Sequence, residues 1–320
     1  MPNLDEIWAF SEKPELLFEL LAGARSLSTT SGRVTALTVG PRSLAEQALA
    51  HGADQVLWLG EPQPGTLVED YTTTLGHLAE QRKPGLILIG ATRRGRVVAG
   101  RLAAHLGITA ITDIQQVQAQ GGEVTARHML YGGGAFRAEK PLSETALLTA
   151  GPGVFTAQTA ARPGAGEIEE VAWVEPPWRV TLRERKARPA VSVNLPRAKK
   201  VVCAGRGLAR KEDLQLVEDL AQALGAEVAC SRPLAEGLGW LPRERYIGIS
   251  GATVKPNLYL GVGVSGQPQH AIGMSHSKIV VAINKDQNAP IFAQADYGIV
   301  GDLYQVVPEL IREVKAHQGK

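Results

Sequence analysis

A glycine-rich segment follows a short apolar run in the last third of this chain. Gly261, Gly263 and Gly266 have the spacing G-x-G-x-x-G, and Asp286 lies about 20 residues further on, which satisfies the dinucleotide fingerprint. Glycines placed between a strand and a helix allow backbone amides to approach a phosphate. Tight turns of the same composition also occur without a ligand, but the pattern favours a nucleotide-type ligand.

Polar side chains also follow other apolar runs, at the points where those runs end. Arg206 stands between two glycines, and Ser231 and Arg232 follow Cys230. A guanidinium binds a phosphate through two parallel hydrogen bonds, although the same tripeptides also fit ordinary surface loops. Because the carboxyl ends of parallel strands meet at one edge of a sheet, we expect these residues to converge with the glycine segment on one crevice.

Two further side chains are candidates for direct contact with such a ligand. Ser250 supplies a hydroxyl donor, and its alternative role is that of a turn serine with its hydrogen bond already satisfied. His270 stands where a helix would begin; a lone histidine is more often structural, but beside a phosphate-type loop both interpretations stay open. No Ser/His/Asp order, carboxylate pair or set of metal ligands indicates hydrolysis or a metal site.

The first half of the chain alternates short apolar runs with longer segments of helical spacing, which predicts βαβ units and a doubly wound parallel sheet. The predicted strands are Ile7–Phe10, Val34–Val39, Gln55–Leu59 and Leu86–Gly90, and the predicted helices are Glu15–Leu27, Ser43–His51, Leu67–Gln81 and Val97–Leu106. Strand patterns without helices come next and predict a sheet extension or a set of hairpins. They are Gln115–Gln118, Glu123–Leu130 and Thr145–Thr149, with a hairpin connection at Gly132–Gly134.

A second α/β pattern occupies the last third. Its predicted strands are Lys200–Ala204, Glu227–Cys230, Leu258–Val262 and Ile279–Ile283, and its predicted helices are Lys211–Gly225 and Val306–His317. The predicted fold class is therefore α/β with two domains. A doubly wound N-terminal domain covers 1–188, a linker covers 189–199, and a Rossmann-like domain covers 200–320.

The composition is that of an ordinary globular protein. Apolar residues make up 44% and charged residues 21% of the 320 positions, and the formal net charge is +2. The net charge is small, and the sequence has no basic stripe with interspersed aromatic residues. Both observations argue against nucleic-acid binding. No apolar run of about 18 residues and no leader-like N-terminus is present, so we expect no membrane insertion and a cytoplasmic location. Cys203 and Cys230 are expected to be buried thiols in a reducing compartment.

The last third resembles the α subunit of electron transfer flavoproteins. The matching segments, in chain order, are Gly205-Arg-Gly-Leu208, Cys230-Ser-Arg-Pro233, Tyr246-Ile-Gly-Ile-Ser-Gly251, Val264-Ser-Gly-Gln-Pro-Gln-His270, Ile283-Asn-Lys-Asp286, Asn288-Ala-Pro-Ile-Phe292 and Ala295–Leu303. Arg232-Pro233 and the run from Glu244 to Ser250 are most similar to the bacterial branch linked to carnitine reduction and nitrogen-fixation flavoproteins. The first half has the layout of the family's N-terminal α/β domain, with weaker motifs.

This resemblance implies an electron carrier rather than an enzyme that transforms its own substrate. The C-terminal domain would bind FAD. The N-terminal domain would contact a β subunit, which completes an αβ heterodimer and holds AMP or a second FAD. Electrons would pass towards an acyl-CoA dehydrogenase-like reductase, such as a crotonobetainyl-CoA reductase. The other redox partner would be a ferredoxin, a flavodoxin or a quinone oxidoreductase.

The resemblance also assigns roles to single residues. Arg232 would lie over the isoalloxazine, Ser250 would donate to flavin N5 and His270 to flavin O2, so that these three tune the redox behaviour. Ser265, Gly266, Gln269 and Asn284 would hold the pyrophosphate and ribityl chain, and Arg206 and Asp302 the outer nucleotide. Ser231, Gly248, Ile249, Gly251, Gln267, Pro268 and Leu303 complete the predicted cofactor-binding set.

Three positions depart from the family pattern. Ile249 and Ala252 stand where better-known members have glutamine and lysine, which implies a more apolar flavin edge. Pro268 replaces a small aliphatic residue, and the first turn of a helix tolerates proline.

Two other functional classes fit parts of the pattern. One is a nicotinamide-dependent oxidoreductase, with NAD(P) bound at the Gly261–Gly266 fingerprint. Lys285 beside Asp286 argues against an acidic ribose site, and no catalytic acid accompanies a hydride-transfer pocket. The other is an interaction subunit without a cofactor, which has no need for arginines and glycines at several strand ends.

Overall fold

The computed structural model describes residues 2–62, 64–120, 123–131, 135–158, 166–177, 180–184 and 194–318. The chain divides into two compact units: Met1–Leu130 with Ala135–Lys186 forms the first, and the second is centred on Ala187–Lys320. Each contains a largely parallel sheet, and the predicted α/β fold class with two domains is confirmed. Among the described residues, we find no helix with the length and apolar character that crossing a bilayer requires.

The first unit is built on a sheet of nine described strands. These are β1 (Glu6–Phe10), β2 (Arg33–Thr38), β3 (Gln55–Trp58), β4 (Leu86–Gly90), β5 (Ala110–Gln120), β6 (Glu123–Leu130), β7 (Ala135–Glu139), β8 (Ala146–Ala150) and β9 (Glu167–Glu170). The helices are α1 (Pro14–Leu27), α2 (Arg42–Ala50), α3 (Thr72–Arg82) and α4 (Arg93–Leu106). The strand order across the sheet is β7-β6-β5-β8-β4-β1-β2-β3-β9.

Most pairs in this sheet are parallel, as βαβ connections require. The exceptions are β5 with β6 and β6 with β7, which pair antiparallel. They extend the sheet beyond β8, to which β5 pairs in parallel. The predicted sheet extension is thus present, although β5 begins at Ala110 rather than Gln115.

Both faces of the central strands β1, β2, β4 and β8 of the first sheet are buried. Along β1, Ile7 and Ala9 join the core formed with α1 and α2, and Trp8 and Phe10 join the core formed with α3 and α4. This division follows from the alternation of side chains along a strand. Leu20 of α1 is fully buried in the first of these cores. Burial on both faces explains why the strands read as continuous apolar runs.

The second unit contains strands β10 (Lys200–Ala204), β11 (Glu227–Cys230), β12 (Leu258–Val262), β13 (Val280–Asn284) and β14 (Tyr297–Val300), and helices α5 (Leu214–Leu224), α6 (Pro268–Ala271) and α7 (Leu303–Gln318). The strand order is β11-β10-β12-β13-β14, and all described pairs are parallel. The chain therefore leaves β10 towards β11 on one side and returns to its other side as β12. Such a reversal opens a crevice at the carboxyl ends of the strands.

Helices α5 and α7 pack together over one face of this second sheet. Val217 and Leu220 of α5 and Val307 of α7 contact the side chains that β10 and β12 direct to that face. On the opposite face, Tyr259 of β12 is fully buried in a second apolar cluster with Ile247.

Two helices begin earlier than their apolar spacing predicted. α4 starts at Arg93 rather than Val97, because Thr92 Oγ1 accepts a hydrogen bond of 2.8 Å from Gly95 N and caps a polar first turn. α7 starts at Leu303 rather than Val306. Apolar periodicity marks the part of a helix that is buried, and a polar first turn lies outside that pattern.

Strands β7, β9 and β14 were not predicted. All three are short strands at the ends of their sheets' strand orders. β14 is exposed along its whole length, and β9 reads Glu167-Ile-Glu-Glu170. β9 carries little apolar pattern of its own, whereas β14, Tyr297-Gly-Ile-Val300, is apolar but only four residues long, and pairing with a neighbour forms it.

The predicted linker 189–199 lies partly outside the described residues, as does the predicted domain boundary at 188. Of the linker, 194–199 is described, and Leu195–Arg197 forms one 3-10 turn with Leu195 buried. The predicted connection Gly132–Gly134 lies wholly outside the described residues. These boundaries therefore stay predictions.

Candidate functional site

Two glycine turns meet at the crevice that the strand reversal opens. Gly205 N donates to Val262 O at 2.8 Å, and Gly207 N donates to Gly263 O at 2.9 Å. A β-carbon at Gly205 would lie 2.1 Å from Gly263 O, and one at Gly207 would lie 2.7 Å from Gly263 Cα. Contact between two backbones therefore requires glycine on both sides of Arg206.

The turn after β12 is held by two further contacts. Gly266 has a φ of +78°, and a β-carbon there would lie 2.4 Å from Ile291 N. Ile291 N donates to Ser265 O at 3.0 Å, so the loop that contains it packs directly on the turn. The buried Leu303 side chain would lie 3.1 Å from a β-carbon at Gly263.

A cavity of about 580 Å³ lies at the carboxyl ends of β10, β11, β12 and β13, and we call it the strand-end cavity. Ligand pockets usually have about 300–1,000 Å³. The cavity brings together the predicted site residues Arg206, Ser231, Arg232, Ser265, Gln267, Gln269, His270 and Asn284. It also contains Tyr246, Ala289 and Pro290, which were not predicted as site residues although they belong to the matching segments.

The predicted residues of the loop Gly248–Gly251 lie beside the cavity but do not line it. Ile249 N donates to Gln269 O at 2.8 Å. The hydroxyl oxygens of Ser250 and Tyr246 lie 3.3 Å apart. Because Gln269 and Tyr246 belong to the cavity wall, this loop is attached to the wall at two points, with Ser250 exposed.

Asp302 and Pro268 also lie outside the lining, and each belongs to a helix start. Asp302 Oδ1 accepts from Tyr304 N at 3.0 Å, and Asp302 O accepts from Val306 N at 2.9 Å. Pro268 begins α6, where its missing N–H costs no hydrogen bond. Both residues therefore position secondary structure next to the cavity.

Arg232 carries a positive charge at the cavity wall. Its side chain is 65% exposed, and its Nε donates to Glu236 Oε2 at 2.6 Å. Glu236 Oε1 also lies 3.2 Å from Arg243 Nε. The hydrogen bond to Glu236 raises the pKa of Arg232 above its ordinary value. Glu236 was not predicted as a site residue. Its position four residues after Arg232 could have indicated the ion pair, because oppositely charged side chains at this spacing face each other on a helix.

His270 occupies the buried side of the cavity wall. Its Nε2 lies 2.7 Å from Tyr259 Oη and 3.9 Å from Cys203 Sγ, and both partners are fully buried. Burial lowers the pKa of His270 to about 4, and a weaker effect of the Ile247 backbone opposes this. Burial also raises the pKa of the Tyr259 hydroxyl and of the Cys203 thiol. All three groups are therefore uncharged near pH 7.

Two buried polar atoms of the cavity-lining residues have no hydrogen-bond partner among the described residues. They are Ser231 Oγ and His270 Nδ1. A buried polar group without a partner costs about 1–3 kcal/mol. A ligand that bonded to these atoms would remove that cost.

Asn284 connects the end of β13 to the glycine turn. Its Nδ2 donates to Val264 O at 2.8 Å, and its Oδ1 accepts from Asp286 N at 3.0 Å. A side-chain amide has two N–H donors, so one of them remains for a ligand.

Comparison with known proteins gives the family. Residues 14–176 match the electron transfer flavoprotein domain, and residues 194–275 match the electron transfer flavoprotein FAD-binding domain. The chain belongs to the electron transfer flavoproteins. With its FAD-binding domain it is of the α-subunit type, and the resemblance read from the sequence motifs is confirmed.

The similarity to other electron transfer flavoproteins extends over both units. The putative electron transfer flavoprotein subunit YdiR of Escherichia coli (strain K12) is 41% identical over 98% of this chain and 99% of that protein. Protein FixB of Escherichia coli O139:H28 is 40% identical over 97% of this chain and 98% of that protein, and Protein FixB of Shigella flexneri has the same values.

The glycine contact makes a prediction about stability. In Gly205→Ala, the new methyl group would overlap Gly263 O, and we expect the second unit to lose about 1–3 kcal/mol of unfolding free energy, as overpacking does. The measurement is urea denaturation. Gly237→Ala is the control, since a β-carbon there meets no atom within 4 Å, and its effect should stay within about 0.5 kcal/mol. Equal transitions for the two variants would contradict the assigned contact.

Burial of His270 makes a prediction about pH. The folded pKa is about 4 and the unfolded value is ordinary, so the unfolded chain binds more protons between these values and stability falls as the pH falls. Between pH 7 and pH 5 this costs about 2 kcal/mol. Urea denaturation at both pH values should show that loss reduced in His270→Gln and unchanged in His317→Gln, whose histidine is exposed on α7. Equal losses in the wild-type chain and His270→Gln would contradict the shift.

Proposed function

We propose that this electron transfer flavoprotein subunit binds FAD in the strand-end cavity and passes electrons between redox partner proteins, as one half of a heterodimer with a β subunit. One observation carries the proposal. The cavity lies at the reversal point of a parallel sheet, and Arg206, Arg232 and Asn284 line it beside the glycine turns. The match to an FAD-binding domain supports a flavin over the nicotinamide alternative.

The residues present fit the chemistry of FAD. A pyrophosphate accepts hydrogen bonds, and Gln269 and Asn284 supply amide N–H donors to the cavity lining, where Arg206 and Arg232 add positive charge. Ser265 and Gln267 add polar groups at the glycine turn. Where a β-carbon would fill the space between the two turns, the chain has glycine. We therefore assign Ser265, Gln269 and Asn284 to the pyrophosphate and ribityl chain and Arg206 to the outer nucleotide.

Asp302 and Gly266 would act on FAD binding by holding the glycine turns in position. Asp302 caps α7, and Leu303, the first residue of that helix, packs against the glycine turns. Gly266 permits the close approach of Ile291. These residues would support FAD binding by holding the turn in position, and Asp302 would reach the outer nucleotide from outside the lining.

When bound, FAD supplies the redox chemistry of the site. The chain's own contribution is electrostatic. Arg232 holds a cation at the wall and Glu236 fixes its orientation, which favours negative charge that arrives with electrons. His270 stays neutral near pH 7 and acts through a hydrogen bond rather than a charge. Ser250 is exposed beside the cavity-lining Tyr246, and its hydroxyl would supply a hydrogen-bond donor to the flavin.

The partners follow from family membership. Electron transfer flavoprotein α-type chains pair with a β subunit and with redox partners. We propose that the N-terminal unit contacts the β subunit, which would hold AMP or a second FAD. The electron acceptor would be an acyl-CoA dehydrogenase-like reductase, such as a crotonobetainyl-CoA reductase. The other partner would be a ferredoxin, a flavodoxin or a quinone oxidoreductase.

The proposal predicts a flavin in the purified complex. We expect the chain co-purified with its β subunit to carry FAD and show flavin absorption, and Ser231→Val to bind FAD more weakly because it loses a hydroxyl in the wall. The measurement is FAD content after denaturation, with NADH binding as the comparison. A colourless complex that binds NADH and takes up no FAD would refute the proposal.

The charge on Arg232 predicts a change in redox potential. Arg232→Gln should lower the flavin midpoint potential, because the cation stabilises negative charge on the reduced cofactor. Arg243→Gln is the matched control, since it removes the other arginine from Glu236 but lies outside the cavity lining. Spectroelectrochemical titration should place the control closer to the wild-type complex. The same potential in both variants would remove Arg232 from its assigned role.

A further inference from the structure

We propose that the aromatic ring of Tyr246 positions Ser250 beside the strand-end cavity, because the loop Gly248–Gly251 packs around this ring. The proposal rests on the proposed function, in which the Ser250 hydroxyl would donate to the flavin. Tyr246 lines the cavity, whereas the loop lies next to it. The tyrosine would therefore act through the serine.

The first step is the anchoring of Tyr246 in the second unit. Its side chain is 2% exposed and belongs to the apolar cluster that α5 and α7 cover. Its backbone N donates to Arg243 O at 3.1 Å, and the next amide, Ile247 N, donates to Cys230 O of β11 at 3.0 Å. Tyr246 is thus attached to β11 and to the core before the loop begins.

The second step is the contact between the tyrosine and the loop. A β-carbon at Gly251 would lie 2.7 Å from Tyr246 Cδ1 and 2.4 Å from Tyr246 O, and one at Gly248 would lie 2.7 Å from Tyr246 Oη. Both glycines are therefore closer to the tyrosine than a residue with a side chain could be. Ala252 N donates to Tyr246 O at 2.7 Å, and Gly248 N donates to Ala252 O at 3.2 Å, so the loop closes on the tyrosine.

The ring carbons of Tyr246, rather than its hydroxyl, make the close contact. The hydroxyl oxygens of Tyr246 and Ser250 lie 3.3 Å apart, whereas oxygen atoms in O–H···O bonds are usually separated by about 2.7–2.8 Å. The packing of Gly251 against Cδ1 is independent of which hydroxyl donates. We therefore assign the positioning role to the ring.

The consequence is a restrained place for Ser250. Its side chain is exposed and has no hydrogen-bond partner among the described residues other than Tyr246. The glycines at 248 and 251 give the loop backbone more freedom than other residues would. A side chain that serves a ligand must be held within about 0.5 Å of its working position. The ring of Tyr246 would supply that restraint.

The contact is measured on the full chain before any FAD is added. We expect NMR spectra to show nuclear Overhauser effects between the ring protons of Tyr246 and the Hα protons of Gly251. The amide hydrogen of Ala252 should exchange about tenfold faster in Tyr246→Leu, because the loop opens more often. Tyr246→Phe keeps the ring and should exchange as the wild type does. Absence of the Overhauser effects, or equal exchange in the wild type and Tyr246→Leu, would overturn the proposal.

The link to the cofactor is tested in the complex with the β subunit. A hydroxyl that donates to the flavin stabilises its reduced form, so Ser250→Ala should lower the midpoint potential. Tyr246→Leu should lower it as well, and Tyr246→Phe should restore it. In a Ser250→Ala background, Tyr246→Leu should cause no further fall, because the tyrosine acts through the serine. A full further fall would overturn the positioning role. Tyr297→Leu is the control, since Tyr297 is 66% exposed on β14 and outside the cavity lining.

Gly251→Ala keeps the test decisive if Tyr246→Leu does not fold. Its β-carbon overlaps Tyr246 from the exposed loop, so it should speed Ala252 exchange and lower the potential. Gly237→Ala, whose β-carbon meets no atom within 4 Å, should do neither. The same exchange rate in both glycine variants would overturn the proposal. Failure of the complex to take up FAD would instead refute the proposed cofactor, since the Overhauser effects and exchange rates are measured without it.

Discussion

The contact between two glycine turns is the constraint on which the site in the second unit depends. Strands β10 and β12 are neighbours, and Gly205 and Gly207 of the turn after β10 donate backbone hydrogen bonds to Val262 and Gly263, at distances that leave no room for a β-carbon at Gly205. This contact fixes the position of Arg206 in the turn after β10 relative to the glycine turn after β12. Leu303 packs against the same two turns, so the start of α7 depends on the contact as well.

The residues that line the cavity differ in charge and in burial. Arg206 and Arg232 are exposed cations, and Arg232 is oriented by Glu236. His270 lies on the buried side, and its hydrogen-bond partners Tyr259 and Cys203 are uncharged. A cation in water acts on a ligand through long-range attraction, whereas a neutral buried donor acts through one directed bond. Asp286 adds a carboxylate to the lining, so a ligand in this cavity would meet charges of both signs as well as the neutral imidazole of His270.

Much of the fold was predictable because both sheets bury their strands on two faces. The strands predicted from continuous apolar runs, such as Lys200–Ala204 and Glu227–Cys230, have the same bounds in the structure. The edge strand β9, Glu167-Ile-Glu-Glu170, has no such pattern and forms by pairing with the backbone of its neighbour β3. The matching segments of the family contain every cavity-lining residue except Gly263, and half of the lining residues were predicted as site residues. The close contact of Gly205 and Gly207 with Gly263 was not predicted, because it joins two turns that are far apart in the chain.

The sequence by itself determined the elements in chain order, the turn residues after each strand and the family, because these depend on local spacing and on short motifs. The tertiary structure decided which strand ends are neighbours, since the reversal between β11 and β12 places Arg232 and Ser265 at one cavity. It also decided the protonation of His270. Desolvation depends on the packing of groups such as Cys203 and Tyr259, which lie 67 and 11 residues away in the chain and reach the histidine only in the folded sheet.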